Sequence, residues 1–81
     1  MMIPSDKKDK KIISIVTEAE IPQNTNYEVP SYKLDTNSLS VFFEGCKLIK
    51  DINYIEVDNT HIQFKNWNVP INSNLEIVIE Y

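Results

Sequence analysis

Few side chains of this sequence could do chemistry. There is one histidine, His61, one cysteine, Cys46, and carboxylates spaced as Glu18 with Glu20 and Glu76 with Glu80. His61 lies in an alternating run and is expected opposite Glu56 on the polar face of a hairpin, as a surface cross-strand pair. One strand histidine with no nucleophile elbow cannot be assembled into a Ser/His/Asp triad. The glutamate spacings are those of a solvated strand face, whereas a glycosidase-like acid pair needs a cleft and displaced pKa values. Asp51 to Asn59 offers oxygen ligands without the spacing or the glycine of a calcium loop. The single glycine rules out a glycine-rich phosphate loop. A lone cysteine allows neither an intrachain disulfide nor a cysteine-based zinc site. The expectation is a protein that is not an enzyme, with no catalytic residues, no metal and no cofactor.

Trp67, Tyr27 and Tyr32 could form a platform for sugar rings, since exposed aromatic faces stack on pyranose rings. The competing reading places Trp67 as a plug at one end of the fold.

The elements that would position these residues centre on Ser38 to Lys65, which reads as two successive β-hairpins. Leu39, Val41 and Phe43 alternate with Ser38, Ser40 and Phe42, the period of a strand with one face covered. Glu44-Gly45 then suits a two-residue turn, glycine supplying a positive φ. That turn sets Phe43 opposite Cys46 and Val41 opposite Leu48, and Cys46 is expected as a buried small hydrophobe. In the second hairpin Tyr54 to Val57 alternates again, and Asp58-Asn59 is the expected turn. Closure there pairs Ile55 with Ile62 and places Ile55, Val57, Ile62 and Phe64 on the buried face, with Tyr54, Glu56, His61 and Gln63 on the other.

Elsewhere, Lys11 to Ile21 reads as a first strand, favoured over a helix by its β-branched residues and by Pro22. Tyr27 to Leu34 is a second extended stretch broken by Pro30, Asn66 to Asn74 a loop, and Leu75 to Tyr81 a last, cleanly alternating strand. Seven short strands and no helix predict an all-β fold, a small antiparallel β-sandwich over residues 11–81, with a small open barrel as the alternative.

The chain has 81 residues, near the lower limit for a self-sufficient core, and carries a net charge of −4 with no arginine. The acidic balance and the missing guanidinium groups argue against a nucleic-acid partner. No apolar run approaches a membrane span and no signal peptide is evident, so the expectation is synthesis in a cytoplasm without a membrane partner. Residues 1–10 form a charged arm, read either as a solubilising tail or as an assembly arm. Asparagine is abundant and is expected to take turn positions that glycine holds elsewhere.

At the two hairpins the sequence resembles a module of tailed-bacteriophage structural proteins, especially tail-fibre and other appendage proteins. The resemblance rests on Leu39 to Phe43, Glu44-Gly45, Leu48, Tyr54 to Val57, Asp58-Asn59 and Ile62 to Phe64, with Tyr27 to Pro30 and Leu75 to Ile79 as flanks. Glu44 stands where such modules usually have asparagine, and Asn72 to Asn74 where a Gly-Asp pair is common. The resemblance implies an immunoglobulin-like or carbohydrate-module-like sandwich used for attachment and oligomerisation in a tail, neck, baseplate or head appendage. It also implies a virion protein partnered by other virion proteins or by itself, with a surface glycan as a further partner. The rival reading is a carbohydrate-binding module that uses the aromatics.

The residues themselves point to an assembly surface. Ile12 to Val16 is apolar on both sides, more than a short chain can cover. The candidate contacts are Lys11, Ile12, Ser14 and Val16 on the first strand, with Phe42 and Ile49 behind the first hairpin.

Overall fold

A computed structural model describes residues 10–80. The expected arm therefore lies outside the described residues apart from Lys10, and so does Tyr81. Seven strands are present: β1 (Lys10–Val16), β2 (Tyr27–Glu28), β3 (Leu39–Phe43), β4 (Cys46–Lys47), β5 (Tyr54–Asp58), β6 (His61–Phe64) and β7 (Asn74–Glu80). They form two antiparallel sheets, one in the order β1-β7-β3-β4 and the other β2-β6-β5. No helix occurs among the described residues, and the arrangement is that of a small β-sandwich.

The core follows from alternation on β3 and β7. Leu39 pairs with Ile79, Val41 with Ile77 and Phe43 with Leu75, which lines these side chains up on one face. Val41, Ile77, Ile79 and Leu75 are buried there together with Ile62, Phe64 and Val69. Leu39, Tyr32, Tyr54, Val29 and Ile21 complete the cluster. Even-numbered residues of β7 and β3 point the other way, to the outer face of the sheet.

The first hairpin closes as its turn residues dictate. Phe43 pairs with Cys46 and Phe42 with Lys47, and Leu48 N donates to Val41 O at 2.8 Å. Glu44 and Gly45 both have positive φ, 50° and 84°, the pair of left-handed conformations that a tight hairpin turn needs. Asn24, Asn37, Asn66 and Asn72 also adopt positive φ, so asparagine fills left-handed turn positions as expected. Cys46 itself is exposed and not buried as expected. Its strand is only two residues long, with both residues exposed, and sits at the sheet edge beside the hairpin tip.

The second hairpin departs from its expected register. Tyr54 pairs with Phe64, Ile55 with Gln63, Glu56 with Ile62 and Asp58 with His61, with a bulge between Glu56 and Asp58. Val57 is the unpaired residue and is exposed, and Ile55 is half-buried on the outer side. Tyr54 takes the core place expected of Ile55. Two causes favour this outcome. A tyrosine ring buries more apolar surface than an isoleucine, and Glu56 gains charge-assisted partners described below. The turn falls on Asn59-Thr60 with neither residue at positive φ. The Asp58 carboxylate closes it by accepting from Thr60 N at 2.9 Å and Thr60 Oγ1 at 3.1 Å.

The first strand stops at Val16, short of the expected Ile21. Thr17 turns inward and is buried, where its Oγ1 donates to Pro70 O at 2.8 Å and accepts from Ser73 N at 2.8 Å. Thr17 N donates to Ser73 O, and Ile21 and Val69 exchange a pair of backbone hydrogen bonds, each 2.9 Å. The 17–21 segment thus pairs with the expected loop 66–74, stepping from the first sheet towards the second. Tyr27 to Leu34 contributes only the two residues of β2 to the ladder. Beyond them Val29 N donates to Thr60 O and Tyr32 N to Asn59 O.

Candidate functional site

The ladder brings four of the six candidate contact residues onto one surface. Across β1, β7 and β3, Ile12 stands beside Val78 and Val78 beside Ser40. One step along, Ser14 stands beside Glu76 and Glu76 beside Phe42. Ile12, Ser14, Val16 and Phe42 therefore share the outer face of the four-stranded sheet, with Val78 between them. Ile12 and Val16 are each 58% exposed, and Phe42 and Val78 are half-buried. Lys11 is exposed but belongs to the opposite set of β1, paired with Ile79.

β1 lies at the edge of its sheet, with β7 on one side and no strand on the other among the described residues. It is seven residues long, without a bulge or a proline. The other three sheet edges differ. β2 and β4 have two residues each, and β5 carries the bulge. Short and bulged edges resist pairing with another chain, whereas a long regular edge invites it.

Ile49, the sixth candidate, lies elsewhere. It is 58% exposed and lines a cleft of about 380 Å³ with Asn37, Leu39, Ser40, Lys47, Leu48, Lys50 and Tyr54. The cleft opens where the chain leaves β4 at Leu48. Tight local bonds hold its far wall: Asn53 N donates to Ile49 O at 2.8 Å, and Ile49 N donates to Asn53 Oδ1 at 2.9 Å.

Beside that cleft is a charge cluster that the alternation pattern does not reveal. The Glu56 side chain is only 1% exposed. Its Oε1 accepts from Asp35 N at 2.8 Å and lies 3.8 Å from Lys50 Nζ, while Oε2 is buried without a partner. Lys50 Nζ also donates to Asp35 Oδ1 at 3.2 Å, and that bond leads the influences holding its ammonium pKa above the usual lysine value. Burial, reinforced by the Glu56 and Asp51 charges, pushes the neighbouring Tyr54 phenol up to about 12. Burial above all, then Glu56 and other acids, raises Tyr32 further. The only sequence signal for this cluster was a glutamate amid apolar positions, which a surface strand produces equally well.

His61 stands opposite Asp58, not Glu56, because of the bulge. Its Nδ1 lies 3.0 Å from both Asp58 Oδ1 and Thr60 Oγ1, at the protein surface. The Thr60 backbone bond, followed by the His61 contact, holds the Asp58 carboxyl below the usual range. Among the described residues no group of three or more His, Cys, Asp or Glu side chains is arranged to hold a metal ion.

The three candidate platform aromatics pack inward. Tyr32 is buried, with its hydroxyl donating to His61 O at 3.4 Å. Trp67 meets Phe43 and Phe64 edge-on, with ring centroids 4.8 and 5.6 Å apart, and its Nε1 donates to Asn53 O at 3.1 Å. Tyr27 tilts against Phe64 at 6.0 Å. Two of the three thus converge on Phe64 as partly buried side chains packed against the core, and no observation favours a sugar platform over that role.

No family model, curated protein or solved structure matches this chain.

Proposed function

We propose that this chain is a small structural module without catalytic activity, of the kind that phage appendages use for attachment and oligomerisation. On this reading it is a virion component held by another virion protein or by copies of itself. The observation that carries the reading is the combination of an open, regular edge strand with exposed Ile12 and Val16 beside Val78 and Phe42. Exposed apolar residues grouped on a sheet face are surface that association removes from water. The polar groups support the non-catalytic part: His61 is tied to Asp58 and Thr60, and Glu56 to Lys50 and Asp35.

Mass spectrometry of density-purified particles from cells expressing the gene tests the virion reading, and the chain is expected in the particle fraction at stoichiometric abundance. Its absence from particles, with sedimentation as a monomer that captures no particle protein, would remove the proposal.

A further inference from the structure

We propose that β1 pairs antiparallel with β1 of a second copy of this chain, with Ser14 at the two-fold axis, so that two four-stranded sheets join into one of eight. The inference deepens the assembly reading above and rests on it.

The backbone supplies the first argument. Thr17 N donates to Ser73 O at 2.9 Å, which makes that cross-strand position a hydrogen-bonded one. Alternation along the ladder then turns the main-chain groups of Lys11, Ile13 and Ile15 towards β7. Those of Lys10, Ile12, Ser14 and Val16 face outward, unpaired among the described residues. A second strand can take them up only in a register that matches these four positions with one another.

The side chains select one such register. With Ser14 opposite Ser14, Ile12 of each copy stands opposite Val16 of the other, and Ile13 opposite Ile15. The two most exposed apolar residues of the strand, each 58% exposed, then cover one another on the outer face. Lys10 falls opposite Glu18, just past the strand end, so opposite charges meet at both ends of the joint. A two-fold contact must be self-complementary in this way, each residue meeting the partner of its own partner. Shifting the axis to Ile13 would set Ile12 against Ser14 and Lys10 against Val16, which loses both matches. Lysines on an edge strand normally discourage pairing, but here both lie at one end and never meet their counterparts.

Cross-linking tests the register in the full chain with Cys46→Ser as background. In a hydrogen-bonded antiparallel pair the Cα atoms lie about 5.5 Å apart, within disulfide range. Ser14→Cys is expected to give a disulfide dimer under mild oxidation. Ile12→Cys alone is not, since the two Ile12 positions would be at least about 13 Å apart along the joint. A mixture of Ile12→Cys with Val16→Cys is expected to give the mixed dimer. In uncross-linked protein, Val16→Lys should raise the dimer Kd at least about tenfold.

Equal cross-linking of Ile12→Cys and Ser14→Cys would mean random collision and would overturn the proposal. So would a monomer by sedimentation at every concentration. A monomer that dimerises through Ser14→Cys only after deletion of residues 1–9 would assign the edge to the chain's own N-terminal segment instead. A stable oligomer whose Ser14→Cys variant does not cross-link would overturn this edge while leaving the assembly reading in place.

Discussion

Glu56 faces Lys50 across 3.8 Å from a position that is sealed from water, and the lysine in turn is clasped by Asp35 at 3.2 Å. A carboxylate in such a place is stable only with its partners, because an isolated buried charge costs far more than a hydrogen bond returns. This pairing brings an acid to the core side of β5, where the sequence pattern called for an apolar residue.

Removing one partner should therefore hurt more than removing both. Lys50→Met is expected to destabilise the fold by about 1–3 kcal/mol, since it strands the Glu56 carboxylate. The double variant Lys50→Met/Glu56→Met should be no less stable than Lys50→Met alone. Chemical denaturation of the single and double variants measures the coupling, and additive losses would mean that the two groups do not interact.

The bulged register separates two neighbouring residues by their cost. Tyr54→Ala should destabilise by about 3 kcal/mol or more, as the loss of a large buried ring does. Val57→Lys, at the exposed bulge, should stay within about 0.5 kcal/mol of the parent. Comparable losses at the two sites would restore the unbulged hairpin.

At the first turn, Gly45 has φ 84° and nothing within 4 Å of the place a Cβ would occupy. The penalty for Gly45→Val is thus backbone strain and not a clash, and should be about 1 kcal/mol or somewhat more for a β-branched side chain. Asn59→Gly should bring no gain, since Asn59 is not left-handed. Thermal melts of both variants check the assignment of turn conformations.

The pH profile should fall at both ends. Tyr54 is raised from 10.0 to about 12, so its neutral form is favoured by folding. Its contribution is complete below pH 10 and fades as the pH climbs towards 12. Lys50, also raised, adds to the same alkaline loss, being most stabilising while protonated. Asp58 is lowered, so its contribution is present above the ordinary carboxylate range and disappears as the pH falls through its own pKa. Equilibrium denaturation across pH should show Tyr54→Phe flattening the alkaline limb and Asp58→Asn the acid one.

Much of this architecture was legible from alternation. Leu39 and Val41 read as a covered face and are buried, Leu75 to Tyr81 reads as an alternating strand and its Leu75, Ile77 and Ile79 are the buried set, and Glu44-Gly45 reads as the turn it is. Periodicity misplaces the register of the second hairpin because it treats every apolar residue as equal. It could not weigh the ring of Tyr54 against Ile55, nor anticipate that Asp35 N and Lys50, distant in sequence, would make Glu56 worth burying. Thr17 was hidden for a similar reason: its bonds to Pro70 and Ser73 span more than fifty positions. The candidate contacts on β1 were visible as surplus apolar residues, but the edge position of that strand is a property of strand order and not of composition.

The place of β7 between β1 and β3 has a consequence for biogenesis. It is the last of the described strands to leave a ribosome, yet both of its neighbours depend on it for their ladders. The local hairpins can close early, because they join adjacent segments. The four-stranded sheet cannot assemble until its middle is synthesised, so β1 waits with its isoleucines unsheltered until β7 has been made. Assembly of that sheet is accordingly held back by its most distant pairing, since pairings of large sequence separation are slow to form. During that interval the nascent protein has most to gain from a chaperone.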